Sequence, residues 1–204
     1  MDIRPTSPLE MDLAPVTLVG RYVRLEPLTL DHVERLAPVA LDPELWRLTT
    51  NVVRSVDDLR AYVEEALAAQ AAGLALPFAT IDVATGRAIG STRFGNAARR
   101  DRRVEIGWTW LARDAQRTAA NTEAKLLMLG HAFDRWHANR VELKTDALNA
   151  RSRAAILRLG ATEEGTFRHH MVTYEGRLRN SVWFSVLREE WAGVRERLER
   201  KLGR

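Results

Sequence analysis

Gln116-Arg117-Thr118-Ala119-Ala120-Asn121-Thr122 is the stretch on which the reading of this chain turns. It joins an aromatic strand pattern over residues 104–111 (Val-Glu-Ile-Gly-Trp-Thr-Trp-Leu) to an apolar helical pattern over residues 123–136. A strand, a turn of small residues and a helix start form an anion cradle. The first N–H groups of a helix have no internal partners, and its dipole adds partial positive charge there. Such a site suits a pyrophosphate. A second strand pattern over residues 140–145 leads, in the same way, into Asn149-Ala150-Arg151-Ser152.

Outward from this stretch the chain reads as one α/β domain. Residues 16–26 are rich in β-branched side chains and predict a strand. Thr29 is placed to cap a helix over residues 30–39, and residues 43–50 form a short helical turn. Ser55 with Asp58 is a capping box opening a helix to about Ala72, which Gly73 ends. Strands follow at 78–83 and 88–96, with a hairpin turn at 84–87. Gly107 within the next strand signals a bulge or a close backbone approach by a ligand. Leu126, Leu129, Phe133 and Trp136 recur at helical spacing, so their helix lays one face on a sheet. A short helix over 151–159 ends at Gly160. Strands at 167–173 and 181–187 form a hairpin across Glu175-Gly176, and an amphipathic helix closes the chain over 189–202. The alternation predicts a mixed central sheet flanked by helices.

The 204 residues suffice for one substantial domain, and 46% apolar with 28% charged content is ordinary for a globular chain. A net charge of +4 is mild and gives little support to nucleic-acid binding. The absence of cysteine excludes disulfides, thiolate metal sites and a cysteine nucleophile, and it fits the cytoplasm. No window approaches the ~18 apolar residues of a membrane span. Residues 1–15, with Pro5, Pro8 and Pro15 and no apolar core, read as a loose N-terminal arm rather than a signal peptide. Residues 16–188 are the expected domain body. The closing helix, 189–204, offers either a homodimer interface or a cover for its own sheet. The five histidines are not spaced as a metal site.

The loop, its preceding strand and the Asn149–Ser152 turn together resemble the acyl-CoA site of the GNAT acetyltransferases, and the element order over residues 16–187 is similar to that fold. Glu105-Ile106-Gly107-Trp108 resembles one branch, the Rim type, which is similar to the ribosomal-protein N-terminal alanine acetyltransferases. The resemblance implies that acetyl-CoA is the acyl donor, lying in a gap between the strands that end near Leu111 and Thr145. It implies that Trp110 and Leu111 present backbone groups to the pantetheine arm. The pyrophosphate then falls on Gln116, Arg117, Thr118, Ala119, Ala120, Asn121 and Thr122, and Asn149 holds the arm. Glu105 is the implied general base, and Ser152 stands in for the tyrosine acid of many members, whose place is taken by Ile156. The acceptor is a primary amine, either a protein N-terminus or a small amine. At pH 7 an α-amine near pKa 8 loses its proton for about 1 kcal/mol, a lysine for about 4–5 kcal/mol.

Each of these has a plainer reading. Ala119 and Asn121 stand where the family carries small residues, the first a glycine. An alanine forced into a left-handed backbone there costs roughly 1–2 kcal/mol, whereas an alanine already in the helix costs nothing. The loop reads equally as an ordinary strand-to-helix connection, Glu105 as a rim glutamate paired with an arginine, and Asn149 as a turn residue. Arg113 and Arg117 flank the cradle as candidates for CoA phosphates, and Arg99, Arg100, Arg102 and Arg103 read as a solvated tip. A non-catalytic acyl-CoA binder or sensor on a degenerate site is the alternative function.

Overall fold

The computed structural model describes residues 11–204. Its elements are β1 (Leu18–Val19), β2 (Val23–Pro27), α1 (His32–Ala40), α2 (Val56–Ala71), β3 (Leu76–Asp82), β4 (Ala88–Ala98) and β5 (Arg103–Leu111). Then follow α3 (Ala119–Gly130), β6 (Arg140–Asp146), α4 (Ala150–Leu159), β7 (Thr162–Val172), β8 (Leu178–Leu187) and α5 (Trp191–Lys201). The strands form one sheet in the order β1-β2-β3-β4-β5-β6-β8-β7. Every neighbouring pair is antiparallel except β5 and β6, which run parallel. This is the mixed α/β sheet expected from the sequence.

The two faces are covered by different helices. On one, Trp110 of β5 meets Trp46 and Tyr62 from the α1–α2 region at ring-centroid distances of 5.5 and 6.4 Å. On the other, Phe78 of β3 and Phe94 of β4 pack 6.1 Å apart, and Phe94 lies 4.6 Å from Trp136 just beyond α3. The closing helix α5 covers its own domain: Trp191 stacks on Phe133 at 5.5 Å, and Val194 and Leu198 are buried. The Ser55–Asp58 capping box is present in both directions.

Several boundaries differ from expectation for local reasons. The strand expected over 16–26 is a hairpin, β1 and β2, because the N–H of Gly20 donates to Val23 O and turns the chain. Thr29 does not cap α1; its hydroxyl and N–H meet Nδ1 of His32 at 2.9 and 3.1 Å, and the helix starts at His32. The helical pattern over 123–136 begins earlier, at Ala119, and ends in a π-helical turn, His131–Arg135. The final hairpin is longer than its apolar runs, since the polar edge of β7 pairs as well. Of the expected loose arm, residues 1–10 lie outside the described residues, while Met11 and Leu13 are buried in the core.

Glu123 fastens the N-terminal hairpin to α3. Its fully buried carboxylate accepts from the N–H groups of Arg21 (2.9 Å), Tyr22 (2.5 Å) and Val23 (2.8 Å) and pairs with Arg204. A Cβ at Gly20 would collide with that carboxylate, so the turn requires glycine for space. Glu123→Gln replaces one acceptor with a donor among these N–H groups. It should destabilise the protein by roughly 2–4 kcal/mol, read as a lower urea midpoint. A loss under about 0.5 kcal/mol, the range of ordinary surface changes, would contradict this anchoring role.

Candidate functional site

The parallel ladder of β5 and β6 contains three register pairs, Arg103 with Arg140, Val104 with Val141 and Glu105 with Glu142. Both strands continue for several residues, but apart. The separation begins at an irregularity in β5. Pairing with β4 skips between Ser91 and Arg93, and Trp108 adopts a left-handed backbone with φ of +51°. This is the bulge signalled by Gly107. The close neighbour of that glycine is Oε1 of Glu105, which an added Cβ would meet at 2.8 Å. Glycine therefore leaves room for a carboxylate beside the split. An unpaired strand edge in a folded core is costly unless another molecule or side chain satisfies it.

A cleft of about 970 Å³ fills the split and passes through the sheet. Glu105, Trp110, Leu111, Gln116, Arg117, Thr118, Asn121, Thr122, Asn149 and Ser152 all line it, whereas Ala119 and Ala120 do not. The sequence pattern thus brings ten of its twelve candidates together. Thr118 caps α3 by accepting from the N–H of Ala120 at 3.1 Å. The N–H groups of Arg117, Thr118 and Ala119 have no protein partner among the described residues. These free donors and the helix dipole are the physical requirements of an anion cradle. The left-handed residue of the loop is Arg117, with φ of +63°, while Ala119 already lies in the helix. The departures at 119 and 121 therefore carry no backbone strain.

Other candidates act partly as scaffolding. Gln116 donates from Nε2 to Leu111 O and accepts from Arg151, both at 2.8 Å, tying the loop to the strand end and to α4. Asn149 caps α4 by accepting from the N–H of Ser152 at 2.9 Å, and the Ser152 hydroxyl makes no hydrogen bond within the described residues. Arg113 turns away from the cradle and pairs with Asp42 at 2.7 Å, which leaves Arg117 of the two flanking arginines in the cleft wall. Glu105 is 2% exposed, and its partner is a lysine rather than an arginine. Its Oε2 accepts from Lys144 Nζ at 2.7 Å and from Asn96 Nδ2 at 2.8 Å.

Cationic residues that the sequence did not single out lie in and beside the cleft. Lys144 lies over the rings of Trp108 and Trp183 at 5.8 and 5.0 Å, while Arg93 lies over Tyr62 and Trp108 at 5.4 and 4.9 Å. Tyr62, Trp108 and Lys144 of this group line the cleft, with Arg93 and Trp183 behind them. Lys125 projects from α3 beneath the bulge and donates to Thr109 Oγ1 at 2.7 Å and Thr92 Oγ1 at 3.1 Å. It shares a helix face with Thr118 and Asn121, and that spacing is the signal that could have found it. Burial without a carboxylate pushes its ammonium down to about 7. Between about pH 7 and its ordinary value near 10.5 the unfolded chain binds one more proton than the folded one, so stability rises with pH there. Lys125→Met should abolish this rise and stabilise the protein by a few kcal/mol at pH 6.5, as read by urea denaturation at pH 6.5 and 9.5. An equal rise in both proteins would contradict the assignment to Lys125.

The chain matches the Acetyltransferase (GNAT) domain over residues 23–162. It is 35% identical to a candidate acetyltransferase from T. thermophilus, with a TM-score of 0.84 over 92% of this chain and 97% of that one. A GCN5-related N-acetyltransferase from Brucella melitensis is 30% identical, with a TM-score of 0.84 over 91% and 85% of the two chains. The candidate ribosomal N-acetyltransferase YdaF of Bacillus subtilis (strain 168) is 31% identical over 108 residues, 53% of this chain and 58% of that protein. The chain thus spans a little over half the length of this curated relative. No helix among the described residues is long and apolar enough to cross a membrane. The split sheet, the free N–H cradle and these likenesses identify the chain as a member of the GNAT acetyltransferase family.

Proposed function

We propose that this protein transfers an acetyl group from acetyl-CoA to a primary amine, a protein N-terminus in preference to a small amine, by direct attack within a ternary complex. The observation that carries the reading is the split between β5 and β6, which runs into the free N–H groups opening α3. CoA fits these residues. The cradle N–H groups and Arg117 suit its phosphates, and the strand edge beyond Glu105 suits a pantetheine amide chain. The same fold accepts the carrier elsewhere: Mycobacterium smegmatis RimJ, 23% identical with a TM-score of 0.77, was solved in complex with CoA-disulfide. The acceptor class rests on the Rim-type strand and on the ribosomal acetyltransferase name carried by YdaF.

In this reading Glu105 is the base. Its Oε2 is held by Lys144 and Asn96, and Oε1 makes no hydrogen bond among the described residues, lying beside Gly107 at the bulge. It receives the ammonium proton directly or through one water. That is a small task for an α-amine, whose pKa lies near neutrality. Free strand N–H groups polarise the thioester carbonyl as the amine adds, and Ser152 faces the departing thiolate. That thiolate, with a conjugate acid near pKa 8.5, leaves without a strong acid, so the absence of a tyrosine at Ile156 is tolerable. Holding both reactants in one cleft supplies much of the rate.

Glu105→Gln should lower kcat by about 100-fold or more with N-terminal peptide acceptors. It should leave the acetyl-CoA dissociation constant within about threefold, because the carboxylate lies on the acceptor side of the bulge. Thiol release and calorimetric titration provide the two readings. Unchanged turnover from pH 6 to 9 would remove Glu105 as the base.

A further inference from the structure

The acceptor side of the cleft contains a cation that the transfer chemistry leaves unused. Arg179 on β8 lines the cleft and is 7% exposed, yet its guanidinium makes no hydrogen bond and no ion pair among the described residues. Its Nε is fully enclosed without a partner. Burial pulls its pKa below the usual arginine value. The two carboxylates that attract it are committed elsewhere. Asp146 accepts from Arg177 on Oδ2 and from the N–H of Leu148 on Oδ1. Glu105 is held by Lys144 and Asn96.

The neighbouring positions repeat the pattern. Ser181 and Trp183 follow Arg179 at alternate positions of β8, on the face shared with Asp146 and Lys144 of β6. Ser181 is completely buried and its hydroxyl is unpaired; the indole N–H of Trp183 is also enclosed and unpaired. Of these three donors without an acceptor, Arg179 is the one that lines the cleft. Buried donors are normally satisfied, and an arginine forgoes most when left alone. A carboxylate would supply both the acceptors and the counter-charge that the enclosed guanidinium lacks.

We propose that Arg179 receives a carboxylate carried by the acceptor, so that the acceptor is an amine with an acidic group a few bonds from its nitrogen. This rests on the acetyl-transfer reading and narrows it. The amine meets Glu105 while the carboxylate meets Arg179, which fixes the acceptor at both ends. The carboxylate can belong to an acidic side chain following an N-terminal residue, or to a small amino acid.

The test uses two matched pairs of acceptors. One pair is Ala-Asp-Ala-Ala amide against Ala-Asn-Ala-Ala amide; the other is 4-aminobutanoate against 4-aminobutanamide. Wild-type protein should favour the acid over its amide about 10- to 100-fold in kcat/KM in one pair, mainly through KM, the range of a charge-assisted hydrogen bond. The pair that shows the preference identifies the source of the carboxylate. In Arg179→Gln the preference should fall to near unity, and Arg179→Lys should restore part of it. Equal use of acid and amide in both pairs would overturn the proposal while leaving acetyl transfer intact, as would a preference that survives in Arg179→Gln. Calorimetric titration of CoA-saturated protein with the N-acetylated form of each peptide reads the same contact without chemistry. Tighter binding of the acidic product, lost in Arg179→Gln, would uphold the proposal even if no acceptor were acetylated; with the N-acetylated forms of 4-aminobutanoate and 4-aminobutanamide titrated alongside, equal affinity for acid and amide in both pairs, or none, would overturn it.

Discussion

The parallel ladder between β5 and β6 stops at Glu105, and the rest of the site depends on that interruption. Two strands at the centre of an eight-stranded sheet would ordinarily pair along their whole shared length. Here the left-handed Trp108 and the register skip opposite Ser91 and Arg93 turn β5 out of line. Interactions on the two faces hold the distortion. Beneath it, Lys125 joins Thr92 to Thr109, and above it the Glu105–Lys144 pair bridges the strands where their backbone bonds end. A side-chain tether across a backbone gap keeps the strands near each other while leaving their edges open.

The electrostatics of the cleft follow from where its cations find partners. Lys144 lies over the Trp108 and Trp183 rings and pairs with Glu105, and just behind the lining Arg93 lies over Tyr62 and Trp108. Lys125 has only neutral oxygens, and it bears the full cost of desolvation in its lowered pKa. At the cradle, Arg117 makes no ion pair among the described residues and sits beside free N–H groups. The cleft is therefore positive at both ends, at the opening of α3 and at Arg179. A single carboxylate, Glu105, stands at the bulge between them. That distribution suits an anionic donor and an acceptor whose nitrogen alone carries positive charge.

The fold was legible where local chemistry was strong. The Ser55 capping box, the left-handed Gly160 at the end of α4 and the alternating strand patterns each correspond to a formed element. It was not legible where a distant partner decides the outcome. The break between β1 and β2 depends on a carboxylate about a hundred residues away, Glu123, accepting three N–H groups. His32 displaces Thr29 at the start of α1 through a side-chain contact that propensity does not encode. In the site, the loop and the Asn149 turn were readable because they are contiguous. Lys125, Lys144 and Arg179 come from three separate elements, and each looks like a solvated surface charge until the fold brings it to the cleft. Ala119, read as a departure from the family pattern, costs nothing because the loop places its left-handed conformation at Arg117 instead.

The most direct measurement is backbone amide hydrogen exchange with and without acetyl-CoA. Exchange reports which N–H groups a ligand engages, independently of any acceptor. If the split between β5 and β6 is the acyl-donor site, saturation with acetyl-CoA should slow exchange selectively at residues 106–111 and 117–121, with little change in β1–β3. Protection elsewhere with none at these residues, or no protection at all at millimolar acetyl-CoA, would contradict the account.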